Sequence, residues 1–314
     1  MEQRVYCSTI LLILYISISL VEGELSSISE NSSSGKLSVG HRAAVKCAEY
    51  SKLAKTENNE CNSNILDPSN YKNRKWNYTA KVGEFPHMVI LSEKEDGYRC
   101  AGTLVSERFV LSVAQCAKLF MDNATVWARI GVVERYQPNK PQAVAIKIRR
   151  SFIHPNFTAD PLANDVSLLE LERECQFDDL KRPACLNTET DVSNSSLFVS
   201  GYGIKHTLIE RASPVLLKTR IELKNKINST TLEEIPDGPM FLAAGSVQGM
   251  KAPCVGDAGA PLAMAANCNH KVVGLASSGR IGSEVLCARY PSDYARVSNY
   301  IEWIENIVWP NPTN

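Results

Sequence analysis

The sequence has no excess of charge of either sign, because Lys plus Arg and Asp plus Glu each total 34 among 314 residues. A balanced charge gives no electrostatic reason to expect a nucleic acid or an anionic membrane as partner. The sequence also lacks a Cys-x-x-Cys pair, and none of its five histidines has metal-ligand spacing from a cysteine. We therefore expect no metal site and no cofactor.

Long hydrophobic runs are also missing, apart from one at the start of the chain. Residues 10–21 form an apolar run of 12 positions that includes two serines and a tyrosine, they follow the positive charge of Arg4, and Gly23 supplies a small residue near their end. A run of this length is too short for a resident membrane helix, so an anchor is the weaker interpretation. The pattern is typical of a secretory signal peptide and predicts that residues 1–23 are removed and that the protein is secreted into the extracellular space.

Cysteines and glycosylation sequences agree with a secreted chain. Nine of the ten cysteines follow residue 23, and in an oxidising compartment we expect them to form disulfide bonds. Because their number is odd, at least one is free or bonded to another chain. Six Asn-x-Ser/Thr sequences predict N-glycosylation; their asparagines are Asn31, Asn77, Asn123, Asn156, Asn194 and Asn228.

The rest of the chain divides into two regions that differ in composition and pattern. Residues 24–75 form a polar N-terminal segment, with a short helix possible around Ala43 to Ala54. From Lys81 onward, short apolar runs recur every eight to twelve residues between turn residues, which predicts an all-β barrel or sandwich. Near the end, apolar residues recur at helical spacing after Ser298, a good N-cap, and Pro310 stops the run, so we predict a C-terminal helix.

Five ordered motifs resemble the chymotrypsin-like (S1) serine protease family over residues 76–310. They are Gly83-Glu-Phe-Pro86, Cys100 to Cys116, Asn164-Asp165 with the strand that follows, Cys254-Val-Gly-Asp-Ala-Gly-Ala-Pro261, and Ser277-Ser-Gly279 with Cys287. Within the family, Lys46-Cys-Ala-Glu-Tyr-Ser-Lys52, Arg182-Pro-Ala-Cys-Leu186 and Ile304 to Pro310 resemble the arthropod clip-domain group, in particular its Snake-like branch. The resemblance implies two six-stranded antiparallel β-barrels with a C-terminal α-helix, and makes residues 24–75 at most a reduced clip or pro-region.

The same resemblance implies where the catalytic triad would stand. The histidine position holds Gln115, the aspartate position holds Asp165, and the serine position holds Ala258. A glutamine amide does not titrate near neutral pH and an alanine has no nucleophile, so triad chemistry is not expected from them. We therefore predict a pseudoprotease rather than an enzyme. Asp165 is interpreted as structural, because losing a buried carboxylate would leave its hydrogen-bond partners unpaired, which costs free energy.

Further positions follow from the resemblance. The pocket and oxyanion positions are Ala252, Gly256, Ser277, Gly279 and Ser292. Ala252 stands where trypsin-like members have aspartate, and Ser292 stands where glycine is favoured, so a narrower pocket is expected. The amine that would pair with Asp257 comes from a freed Ile-Val terminus in the family, whereas this chain has Arg74-Lys75-Trp-Asn77 there.

The resemblance also implies the disulfides Cys100–Cys116, Cys254–Cys287 and Cys61–Cys185. Cys47–Cys268 is the remaining guess, and it leaves Cys175 as the spare cysteine. Four histidines, His87, His154, His206 and His270, are expected at the surface or in a satisfied core rather than as a replacement base.

The preferred functional hypothesis is a non-catalytic adaptor of an extracellular proteolytic cascade, whose protein partner is an active protease or its zymogen. Two alternatives stay open. One is an active serine-type endopeptidase with a non-standard site, and the other is a secreted recognition protein that uses the old cleft for peptides, glycans or microbial surfaces.

Overall fold

The computed structural model describes residues 38–55, 61, 78–95, 97–120, 125–136, 143–193, 195–206, 209–224, 226–227, 234–235, 241–246, 257–266, 268–278 and 292–311. The predicted signal peptide lies outside these residues. No helix in the described ranges is long and apolar enough to cross a membrane.

Strands dominate this part of the chain. In chain order they are β1 (Tyr78–Thr79), β2 (Met88–Ser92), β3 (Cys100–Leu104), β4 (Phe109–Ser112), β5 (Trp127–Ile130), β6 (Val144–Ile153), β7 (Thr158–Ala159), β8 (Leu162–Ala163), β9 (Ser167–Leu171), β10 (Cys185–Leu186), β11 (Leu197–Gly201), β12 (Ile204–His206), β13 (Ile209–Ala212), β14 (Leu217–Leu223), β15 (Lys226–Ile227), β16 (Glu234–Ile235), β17 (Phe241–Ser246), β18 (Pro261–Ala266), β19 (Asn269–Ser278) and β20 (Ser292–Arg296). The helices are α1 (His41–Lys52), α2 (Ala114–Leu119), a 3-10 turn (Val297–Tyr300) and α3 (Ile301–Val308).

The first barrel closes in the order β2-β3-β4-β9-β6-β5, and each neighbouring pair is antiparallel. Every residue of β2, β3, β4 and β9 is buried, which explains why these strands are mostly apolar and do not alternate between apolar and polar residues. Only β6 keeps a solvent face: Ile146 is buried, while Lys147 and Arg149 are exposed.

The second barrel has the order β14-β11-β18-β19-β20-β17, and antiparallel pairing between β14 and β17 closes it. Two short strands lie outside the ring, with β1 antiparallel on β14 and β10 parallel on β19. The prediction of two six-stranded antiparallel barrels with a C-terminal helix is therefore confirmed. Three hairpins, β7-β8, β12-β13 and β15-β16, complete the strands.

The polar N-terminal segment contributes α1, the helix that the sequence indicated. The predicted disulfides Cys61–Cys185 and Cys47–Cys268 are wrong: the structure has Cys47–Cys185 and Cys61–Cys268, with Cα–Cα distances of 4.8 and 5.0 Å. The reason is that α1 packs beside β10, which brings Cys47 next to Cys185.

The other cysteines differ in how far the structure describes them. Cys100 and Cys116 are bonded to each other, as expected, with a Cα–Cα distance of 6.2 Å. Cys175 is free and buried, and burial raises the pKa of its thiol to about 11. The predicted pair Cys254–Cys287 lies outside the described residues.

The C-terminal helix begins later than the sequence indicated. Ser298 is not its N-cap, because residues Val297–Tyr300 form a 3-10 turn and α3 starts at Ile301 after Tyr300. Its apolar face, with Ile301, Ile304 and Val308, packs into the same core as the strands of the first barrel. The helix thus packs the end of the chain against this core.

Candidate functional site

Four elements bring the triad positions together between the barrels. Gln115 lies in the first turn of α2, Asp165 precedes β9, Ala258 precedes β18, and Ser277 lies near the end of β19. A hydrogen bond from the Ala101 backbone N–H to the Ala258 carbonyl, 2.8 Å long, joins β3 of the first barrel to the turn before β18. The site is therefore built across the junction of the two barrels.

Asp165 is the centre of this site and is fully buried. Its Oδ1 accepts the backbone N–H of Gln115 at 2.9 Å, and its Oδ2 accepts the Gln115 side-chain Nε2 at 2.7 Å. The Ser277 hydroxyl also donates to Oδ2, at 2.5 Å. Three donors on one carboxylate satisfy a buried charge that would otherwise be strongly destabilising.

Gln115 bridges the two barrels through its side-chain amide. Besides its bond to Asp165, the Nε2 group donates to the Ser277 backbone carbonyl at 3.2 Å. Both amide hydrogens therefore have acceptors. The amide donates to Asp165 as the ring N–H of a histidine at this position would, but it does not take up or release a proton near neutral pH.

The serine position presents a methyl group. Ala258 is half-buried and packs against the core of the first barrel. The next residue, Gly259, has φ +83°, and a Cβ there would lie 2.1 Å from the Ala101 carbonyl oxygen. Only glycine fits that turn, so the backbone around position 258 is kept tightly against β3.

Asp257 is held in a cleft that the sequence did not indicate. Its Oδ1 accepts the backbone N–H of Gly203 at 2.7 Å. A Cβ on Gly201 or on Gly203 would lie 2.2 or 2.0 Å from an Asp257 carboxylate oxygen. The carboxylate therefore fits only because both positions are glycine. The Gly201-Tyr202-Gly203 sequence at the end of β11 was the sequence signal from which this close approach could have been predicted.

Two tyrosines complete the surroundings of this carboxylate. Burial and, after it, the negative charge of Asp257 raise the pKa of Tyr98 and of Tyr294 well above the usual range. Both phenols therefore stay neutral at physiological pH. Asp257 thus has partners within the body of the protein, in addition to any interaction with a chain terminus.

The pocket positions are described in part. Ser292 is buried at the start of β20, opposite Ala244 of β17, so a side chain does occupy this position inside the barrel. Ala252, Gly256 and Gly279 lie outside the described residues, as do Arg74-Lys75-Trp-Asn77. Among the described residues no group of three or more His, Cys, Asp or Glu side chains is placed to hold a metal ion.

Two histidines meet in the core, contrary to the expectation of satisfied or surface positions. His87 and His270 are fully buried, their ring centroids are 4.7 Å apart, and none of their four ring nitrogens has a hydrogen-bond partner. Rings of Phe85 and Phe198 pack around His270, and buried Arg182 is the charged neighbour. The pair is remote in sequence, so no local pattern indicated it.

A double antiparallel barrel with a buried, hydrogen-bonded aspartate at the junction is the architecture of a serine protease domain. The chain belongs to the trypsin family, because the family model described as Trypsin matches residues 75–304. A solved structure supports the fold: mouse neuropsin, a serine protease, superimposes with a TM-score of 0.61 at 20% identity, over 74% of this chain and 98% of neuropsin.

Several curated relatives come from arthropods, in agreement with the resemblance. Serine protease Hayan of Drosophila melanogaster is 30% identical over 73% of this chain, and serine protease snk of the same organism is 27% identical over 73%. The chain spans 38% of the length of Hayan and 55% of that of snk. The similarity therefore concerns the protease domain rather than the whole of either relative.

The prediction that this chain is not an enzyme is wrong in the light of these comparisons. The matching family model is that of trypsin, and both relatives are named serine proteases. The replacements at positions 115 and 258 concern two side chains, whereas the family match covers the domain. A hydrolytic activity is therefore consistent with the family to which the chain belongs.

Proposed function

We propose that this protein acts in an extracellular proteolytic cascade by binding a protein partner, which is an active protease or its zymogen. The observation that carries the proposal is the pair of hydrogen bonds donated by the Gln115 side-chain amide, which keeps Asp165 and Ser277 in one network. A satisfied network holds both barrels in register at the site, so the surrounding loops can recognise a partner whichever side chains occupy the triad positions.

Arthropod relatives support the setting of this proposal. Hayan and snk are named serine proteases, and a related protein of Bombus pensylvanicus is named a venom protease. The apolar run at residues 10–21 and the three disulfides fit an oxidising, extracellular location.

Affinity capture tests the binding role. The tagged mature chain is incubated in the native extracellular fluid and bound proteins are identified by mass spectrometry, with Gln115→Leu as the matched variant. We expect a protease or zymogen of the same family to be captured by the parent chain and less by the variant. Recovery of a carbohydrate ligand instead, with no protease bound, would favour the recognition role.

A second candidate is a serine-type endopeptidase activity, favoured by the family match and by the hydroxyl of Ser277. That hydroxyl donates to Asp165 Oδ2 at 2.5 Å. Ser277 is therefore the residue beside the Asp165 carboxylate whose hydroxyl a serine-directed phosphonate could label. Labelling of the parent chain that disappears in Ser277→Ala, together with peptide hydrolysis, would establish this activity. Absence of both in a folded sample would exclude Ser277 as a nucleophile.

A further inference from the structure

Asn156 begins the sequence Asn156-Phe157-Thr158, and it is the glycosylation asparagine that falls within the described residues. It is exposed, and its backbone is fixed at both ends. The N–H donates to His154 Nδ1 at 3.3 Å, and the carbonyl accepts Asn164 Nδ2 at 2.8 Å. Both bonds use the backbone, so neither engages the side-chain amide that would accept a glycan.

The next two residues tie this segment to its surroundings. The Lys118 Nζ lies 4.9 Å from the centroid of the Phe157 ring, which connects the segment to α2. The Thr158 hydroxyl donates to the Pro161 carbonyl at 2.6 Å, at the base of the β7-β8 hairpin. Asn156 is therefore presented from an ordered part of the surface.

Two contacts of this segment involve residues that are close in sequence to the candidate site. Lys118 and Gln115 are three residues apart on α2, so they share one face of the helix. Asn164, which bonds the Asn156 carbonyl, directly precedes Asp165. A bulky group on Asn156 would thus stand on the side of the molecule where Gln115 lies.

We propose that Asn156 carries an N-linked glycan that shields the Gln115 side of the candidate site. In this modification the Asn156 amide nitrogen loses a proton and forms a bond to the anomeric carbon of an oligosaccharide. The bond between that carbon and a lipid-linked diphosphate breaks, and the diphosphate leaves with the lipid. The inference rests on the extracellular location in the proposed function, but it does not depend on which partner binds.

Occupancy is tested on the full chain secreted from an insect cell line. Glycopeptide mass spectrometry should show a glycan on Asn156 in the parent and in Thr158→Ser, which retains the acceptor sequence, and none in Asn156→Gln. An unmodified Asn156 in a sample glycosylated at other sequences would overturn the inference and leave the extracellular location intact. A secreted sample with no glycan at any sequence would also overturn it.

Shielding is tested at Lys118, which is exposed and contacts Phe157. Acylation of Lys118 is measured by mass spectrometry with a small N-hydroxysuccinimide ester and with a polymer-linked ester of the same chemistry. In Asn156→Gln we expect the polymer ester to react several-fold faster at Lys118, with no change for the small ester. Lys52, exposed on α1, serves as the internal control. Equal polymer rates at Lys118 in the parent and the variant would refute the shielding.

Discussion

The carboxylate of Glu305 in the C-terminal helix accepts the backbone N–H of Ala43 in α1 at 2.8 Å, across 262 residues of sequence. The same carboxylate accepts the N–H of Gly40 at 3.1 Å, and it is almost fully buried. The first N–H groups of a helix have no intrahelical partner, and the helix dipole favours a negative charge beside them. Glu305 therefore caps a helix at the opposite end of the chain.

We expect Glu305→Ala to lower the free energy of unfolding by about 2–3 kcal/mol, because two buried N–H groups lose a charged acceptor. Urea unfolding followed by circular dichroism measures the change. Glu172 is exposed and lies in neither helix, so Glu172→Ala is the control and should change stability by less than about 0.5 kcal/mol. Equal effects of the two substitutions would contradict the capping role.

The amide of Gln115 is expected to contribute to stability through Asp165. Gln115→Leu keeps most of the side-chain volume but removes the donor to Asp165 Oδ2, so we expect a loss of about 1.5–3 kcal/mol. Gln176→Leu, at an exposed position, is the control. Thermal unfolding by calorimetry compares the two, and an unchanged transition in Gln115→Leu would show that the amide bond to Asp165 is not needed.

The cleft of Asp257 gives a prediction about pairs of substitutions. Gly203→Ala should destabilise the protein strongly, because the three nearest heavy atoms to the new Cβ, at 2.0–2.6 Å, all belong to the Asp257 carboxylate. In the double variant with Asp257→Ala that collision is gone, so the two effects should not add. Urea unfolding of the parent, both single variants and the double variant measures the coupling, and strict additivity would contradict this geometry.

The sequence predicted those features of the fold and the site that are encoded by residues close together in the chain. Apolar runs predicted the strands of both barrels, and ordered motifs predicted that Gln115, Asp165 and Ala258 meet. The Cys61–Cys185 pairing failed because the choice between Cys47 and Cys61 depends on where α1 packs, which no spacing encodes. The contacts of Glu305 with α1 and of His87 with His270 were likewise hidden, since each joins residues that are far apart in sequence.

The revised disulfide pattern has a direct test. Proteolysis of the non-reduced protein should release one linked peptide pair that contains Cys47 and Cys185, and another that contains Cys61 and Cys268. Cys185→Ser should therefore free the thiol of Cys47 and leave the Cys61 link intact, which alkylation with iodoacetamide before digestion detects. A linked peptide of Cys61 and Cys185 in the parent protein would restore the earlier pairing.

The buried histidine pair should make the protein sensitive to acid. Burial lowers the pKa of His87 to about 3 and that of His270 well below its usual value of 6.5, with Arg182 opposing protonation of both. In the unfolded chain each imidazole binds a proton below pH about 6.5. The unfolded state thus holds more protons, and the stability present above that pH is lost as the pH falls toward the folded pKa values, by at most about 1.4 kcal/mol per pH unit for each imidazole.

Replacing one histidine should reduce this slope. In His87→Phe the aromatic packing with His270 is kept while one titrating group is removed, so the free energy of unfolding should fall less steeply between pH 6 and pH 4. Urea unfolding at a series of pH values and constant ionic strength measures the slopes. If parent and His87→Phe lose stability in parallel, another group is responsible for the acid sensitivity.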